Sequence, residues 1–218
     1  MTRLKDNGLT LALLALFAFS LAGQLLAGWH VANEEAADHG QRAVSLAAYT
    51  FSPDFLSAVF ENWESEFLQM AAYVLLTAIL FQRGSAESKD PDEPPRDEDL
   101  AEQSKKRGAP RILSRGPIVR ALYAHSLSLA LAALFIASFV IHWTQSARVA
   151  AQEAIEHGRI APTVLGYLGD AQLWFESFQN WQSEFLSTAV LIVFSIYLRQ
   201  RESPESKAVA APHSQTGT

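Results

Sequence analysis

The stretch from Leu9 to Trp29, LTLALLALFAFSLAGQLLAGW, carries no ionisable side chain. A helix needs roughly 20 apolar residues to cross a hydrocarbon core about 30 Å thick, and this block meets that length unaided. Three further apolar blocks follow: Phe67–Gln82, Ala121 to about Trp143, and Phe185–Leu198. The third is also long enough. The second and fourth are shorter and must borrow residues upstream. Backbone groups in lipid must be satisfied within their own segment, so four such blocks predict helices. The expected class is all-α, a polytopic membrane protein with four transmembrane helices.

The second constraint is an internal repeat. Residues 7–89 align without a gap on residues 125–207, at an offset of 118. Trp63 falls on Trp181, Glu66 on Glu184, His39 on His157, Gly40 on Gly158 and Lys89 on Lys207. The segment FENWESEFL (Phe60–Leu68) lies over FQNWQSEFL (Phe178–Leu186), and SAESK (Ser85–Lys89) over SPESK (Ser203–Lys207). Each copy holds two spans, so both insert with the same orientation, as parallel repeats about an axis along the membrane normal. The chain therefore divides into a first hairpin (7–89), a disordered cytoplasmic linker (90–120), a second hairpin (121–207) and a disordered tail (208–218). The linker's DPDEPPRDEDLAEQSKKRGAP has no apolar periodicity and suits a solvated segment. The repeat also argues against the first block being a cleaved leader, since its counterpart is internal. The two hairpins are expected to form a four-helix bundle.

Net charge is −6, yet its sign is unevenly placed. Lys and Arg gather in the N-terminus, in residues 83–120 and after Leu198. Arg42 alone represents them between the first two blocks, and Arg148 and Arg159 between the last two. The positive-inside bias puts both termini and the linker in the cytoplasm, in a plasma membrane. No basic patch with interleaved aromatics is present, which excludes nucleic acid as a partner. Absence of cysteine excludes disulfides and thiolate metal sites.

Outside the membrane the helices continue. His39–Gly40 reads as a helix stop and Ser52-Pro53-Asp54 as a helix start, with Asp170 as the cap in the second copy. Phe55, Val59, Trp63 and Phe67 recur every four residues, a stripe that runs from the outer segment into the membrane. The paired NWxSEFL segments, the HG corner and the SxESK ends resemble an uncharacterised bacterial family of four-span integral membrane proteins. That resemblance covers most of the chain; it implies the topology and no chemistry.

One polar cluster stands out. Glu184 is followed by about 21 Å of helix before Arg199, and Glu66 by about 24 Å before Arg83, both shorter than the core. Each carboxyl therefore falls at or just below the outer boundary, where ionisable groups face the interior and find partners. Asn62 and Asn180 precede Glu66 and Glu184 by four positions and share their helix faces. Gln24 and His142 align at the same depth on the first helix of each hairpin. Trp63 and Trp181 read as interfacial anchors. A weaker pattern, Glu35/His39 and Glu153/His157, has metal-ligand spacing but equally suits a helix C-terminus.

No phosphate loop, nucleophile elbow or zinc-protease motif occurs. The expectation is a non-enzymatic module without cofactors. Its partners are the lipid bilayer, a membrane or exoplasmic protein meeting the outer helical tips, or a second copy of the chain. The competing reading is a small transporter or channel using the Glu/Asn/His cluster. Thr77 and Ser195 look like isolated polar residues in the inner halves, so the polar stripe is expected to stop there.

Overall fold

A computed structural model describes residues 6–94, 97 and 99–217. The described residues form α1 (Gly8–Asp38), α2 (Leu46–Thr50), α3 (Pro53–Ile79), α4 (Leu100–Gln103), α5 (Pro117–Ala124), α6 (Ser126–Glu156) and α7 (Ala171–Tyr197). Short 3-10 turns lie at Arg111–Ser114 and Gly166–Gly169. The protein is all-α. Of its long helices, α1 and α6, each 31 residues, are long and apolar enough to cross a membrane. Helices α3 and α7 are 27 residues each, about 40 Å, but carry glutamates in their N-terminal halves.

The repeat reaches the level of single hydrogen bonds. Shifting α1 and α3 by 118 positions gives the bounds of α6 and α7. Both first helices end alike: Gln41 N donates to Ala36 O and Arg159 N to Ala154 O, each at 2.7 Å, with Gly40 at φ 66 and Gly158 at φ 65. Positive φ is why glycine stands there. The starts of α3 and α7 are capped by different side chains. Ser52 Oγ accepts from Phe55 N at 3.2 Å, and Asp170 Oδ1 from Gln172 N at 2.9 Å. After α3 and α7 the loops again match: Ser88 Oγ accepts from Gln82 N, and Ser206 Oγ from Gln200 N.

The chain divides into two compact units. The first comprises residues 1–59 and 141–168. Here α2, an element with no signal in the apolar pattern, folds back on α1. Tyr49 of α2 lies against Gly28 of α1, its ring tilted against Phe55 at a centroid distance of 5.5 Å. The Trp29 indole donates to Val44 O at 2.7 Å, and Asn33 Oδ1 accepts from Val44 N at 2.7 Å. In the second copy Trp143 donates to Val164 O at 2.8 Å, so the same latch is built from a tryptophan one turn earlier in the repeat. Ser57 and Ser146 share a 2.6 Å hydrogen bond.

A Cβ at Gly28 would collide with the Tyr49 hydroxyl, whereas one at Gly23 meets nothing within 4 Å. Gly28→Ala is therefore expected to cost about 1–3 kcal/mol by overpacking, and Gly23→Ala to gain up to about 1 kcal/mol in helix propensity. Thermal unfolding in detergent checks this; equal effects of the two substitutions would remove the packing role of Gly28.

The second unit comprises residues 60–140 and 169–218. Within it α3 and α7 run parallel at matched height, with contacts pairing residues 117 to 119 positions apart. The residues expected to form a disordered linker hold α4, a 3-10 turn and the start of α5 among their described positions. The 208–218 tail, also expected to be disordered, is instead seated on the loop after α3, as far as residue 217. Gly217 N donates to Ser85 O, and Gly84 N to Thr216 Oγ1, both at 2.9 Å. The physical reason is Lys207. Its buried ammonium donates to the carbonyls of Gly84, His213 (2.9 Å) and Gln215 (3.0 Å), with Pro212 O at 3.4 Å, which wraps the tail around the side chain.

Candidate functional site

The second unit contains a seam of polar contacts along α3 and α7. It begins at Glu61, whose carboxyl accepts from the Asn180 amide; Asn180 also donates to Glu176 O at 3.2 Å. The Glu61 and Glu176 carboxyl oxygens lie within 4.8 Å of one another. One turn on, Glu64 is fully buried and accepts from the Trp181 indole at 2.9 Å. Gln69 then donates to Thr188 at 2.6 Å. Toward the C-terminal ends of the two helices Tyr73 donates to Glu87 at 2.9 Å, and Ser85 shares a 2.8 Å hydrogen bond with Ser195. Positions 61, 64/65, 69 and 73 recur every three or four residues, so one helical face carries the seam.

Packed beside it is an aromatic cluster. Trp181 makes edge-to-face contacts with Phe135 at 6.2 Å, Trp174 at 6.5 Å and Phe178 at 5.3 Å. Such geometry sets the positive ring edge against a negative face. It orients the indole N–H toward Glu64.

The sequence-derived cluster is divided between the units. Glu66, Glu184, Asn62 and Asn180 belong to the second, Gln24 and His142 to the first. Glu66 is exposed and Glu184 half-buried, near enough for their charges to interact. Asn62 and Gln24 are exposed, and His142 is fully buried. The Asn180 side-chain amide bonds Glu61 on the neighbouring helix. It reaches to α3 because the half-buried Glu61 carboxyl offers an acceptor there.

Trp63 is half-buried, edge-on to Phe60 at 5.0 Å, and Trp181 is a donor within the seam. In the ExxxHG corners His39 Nδ1 hydrogen-bonds Glu35 O at 2.9 Å and His157 Nδ1 hydrogen-bonds Glu153 O at 2.8 Å. Each imidazole closes its own helix end and takes up one nitrogen in doing so. Ser195, expected to be isolated, instead bonds Ser85, and with Gln69 and Tyr73 it carries polar contacts toward the C-terminal ends of α3 and α7.

Glu61, Glu64, Glu176 and Glu87 were not singled out in the sequence. Attention to residues shared by both copies selects Glu66 and Glu184. The seam acids at 61 and 64 have Gln179 and Gln182 as their counterparts, so difference between copies was the usable signal.

Fold and seam together define an all-α helical protein with two helices capable of spanning a membrane. The chain belongs to the family described as Domain of unknown function (DUF6766), matched over residues 1–218. No curated protein and no solved structure matches it.

Proposed function

We propose that the protein is a four-span integral membrane protein of the bacterial plasma membrane, built as two parallel hairpins about a pseudo-twofold axis, and that it serves as a structural or interaction module. The observation that carries this reading is inverted burial. Among the described residues the largest fully buried side chains are Lys207, Leu173, His142, Glu64, Ser85 and Ser177, of which only Leu173 is apolar. Phe19 (79% exposed), Leu16, Leu127, Leu186 and Phe194 stay at the surface. Hydrocarbon solvent reverses the usual rule that large apolar side chains go inside. The interhelical polar pairs then act as glue between helices that gain nothing by hiding leucine from lipid.

The interaction role draws on the outer tip of the second hairpin, where Ile160 (98% exposed), Leu165 and Ile155 are offered together with polar neighbours. A second reading, passage of a small solute, is favoured by the continuity of the seam. Flux through proteoliposomes bearing the wild type and a Glu61→Gln/Glu64→Gln double variant separates the two; an unchanged background rate leaves the module.

Both termini and residues 84–120 are assigned to the cytoplasm and residues 30–60 and 148–178 to the outside, on the Lys/Arg asymmetry. With no native cysteine, Asp97→Cys and Asp38→Cys each give one probe site. In intact cells an impermeant maleimide is expected to label Asp38→Cys and to spare Asp97→Cys until the cells are opened. Labelling of Asp97→Cys in intact cells overturns the orientation.

A further inference from the structure

A cavity of about 300 Å³ opens at the inner end of the second unit. Its walls are mostly apolar, from Leu76, Phe81, Phe185 and Ile192, and Tyr73 and Glu87 supply its polar corner. The volume is at the lower end of small-molecule sites. It equals about ten water volumes, which suits a body of roughly ten to fifteen heavy atoms and is far too small for a two-chain lipid.

The corner carries uncompensated acid. Tyr73 donates to Glu87 at 2.9 Å, and the Glu205 carboxyl lies near enough for the two acids to interact. Glu87 and Glu205 are equivalent positions of the repeat, so two copies of one carboxyl meet here. Among the described residues the basic side chains nearby are committed elsewhere. Arg83 pairs with Asp92 at 2.7 Å, Lys89 donates to Ala78 O, and Lys207 and Arg199 donate to backbone carbonyls. Like carboxyls close together disfavour double ionisation, and a proton or an incoming cation relieves the repulsion.

We propose that this cavity binds a small amphipathic organic monocation, with the charge on Glu87 and the apolar body against Leu76, Phe81, Phe185 and Ile192. The faces of Tyr73 and Phe81 add cation–π attraction for an ammonium head. Anionic ligands are repelled by the acid pair, and neutral ones leave it unrelieved. Burial, and then the neighbouring Glu205, push the Glu87 carboxyl above the ordinary glutamate range, while the Tyr73 hydrogen bond opposes the rise. Protons therefore compete with the cation in a window above the ordinary glutamate value. The site lies within one unit and stands whichever way the chain is oriented in the bilayer.

The test uses the full chain in phosphatidylcholine nanodiscs and benzyltrimethylammonium as probe, with binding followed by calorimetry. Neopentylbenzene, its neutral isostere, reports partition into lipid. Saturable binding of the cation is expected at pH 7.5, with no saturable binding of the isostere. Glu87→Gln is expected to weaken it at least tenfold and Glu205→Gln several-fold, while Glu87→Asp, which keeps the charge, stays within a few-fold of wild type. Lowering the pH to 5 is expected to weaken wild-type binding and to leave the residual binding of Glu87→Gln unchanged. Absence of saturable binding to wild type, or binding indifferent to Glu87→Gln in a variant with wild-type elution and helicity, overturns the proposal. Equal saturable binding of the neutral isostere also overturns it, since the acid pair would then select nothing.

Discussion

Trp181→Ala is expected to lower stability by about 3 kcal/mol, the lower end of the range for removing a large aromatic side chain, because Trp181 is only half-buried. The loss has two sources, and they can be separated. The ring contributes edge-to-face contacts with Phe135, Trp174 and Phe178. Its N–H serves the fully buried carboxyl of Glu64 at 2.9 Å. Trp181→Phe keeps much of the first and removes the second, so about 1.5 kcal/mol is expected, the upper end of the range for an intramolecular hydrogen bond. For a chain of this size the alanine variant's thermal midpoint should fall by roughly 6–12 °C. A double-mutant cycle of Trp181→Phe with Glu64→Gln measures the coupling directly. Strict additivity in that cycle would mean the indole serves only as an anchor at the membrane boundary.

The second large effect belongs to Lys207. An ammonium has three N–H donors, and the carbonyls of Gly84, His213 and Gln215 match them in number. Lys207→Met leaves three buried or half-buried acceptors with nothing to accept from. Hydrogen bonds from a charged donor contribute about 1.5–3 kcal/mol each and do not add fully, so a local cost of about 3 kcal/mol is expected. That corresponds to roughly a 100-fold rise in opening of the tail, at 1.4 kcal/mol per tenfold. Amide hydrogen exchange at Gly84 and Gly217, both donors in the tail contact, reads it out. Val209→Ser, at an exposed position, is the control. Unchanged exchange in Lys207→Met would show that the tail is held by its other contacts, such as Arg199 to Ala211 O.

Much of the architecture was legible because it is local. Helix ends at His39–Gly40 and Ser52–Pro53 depend on a few neighbouring residues, and these signals sit in the sequence itself. The repeat was legible because copying preserves spacing. Two kinds of feature were not. Helix α2 spans five residues with no amphipathic period long enough to read, and it exists because Tyr49 finds Gly28. The seam depends on which of two adjacent faces of α3 turns toward α7. The spacing of Asn62 and Glu66 describes one such face correctly, and the chain uses the next one, bearing Glu61 and Glu64. A tail of small and polar residues looks solvated until one lysine is found to organise it.

The parallel packing of α3 against α7 has a consequence for how such a chain could have arisen. Two identical hairpins set side by side in parallel would bring each residue opposite its own twin, and every acid would confront an acid. A lone hairpin pairing with itself could relieve that conflict only by giving up the charge on both sides. Fused into one polypeptide, the halves are free to differ: Glu61 and Glu64 in one face Asn180 and Trp181 in the other, while their twins became Gln179 and Gln182. Covalent joining thus turns a mirror-like contact into a handed one. Whatever approaches the pair at this level meets acids at 61 and 64 on one helix and amides at 179 and 182 on the other.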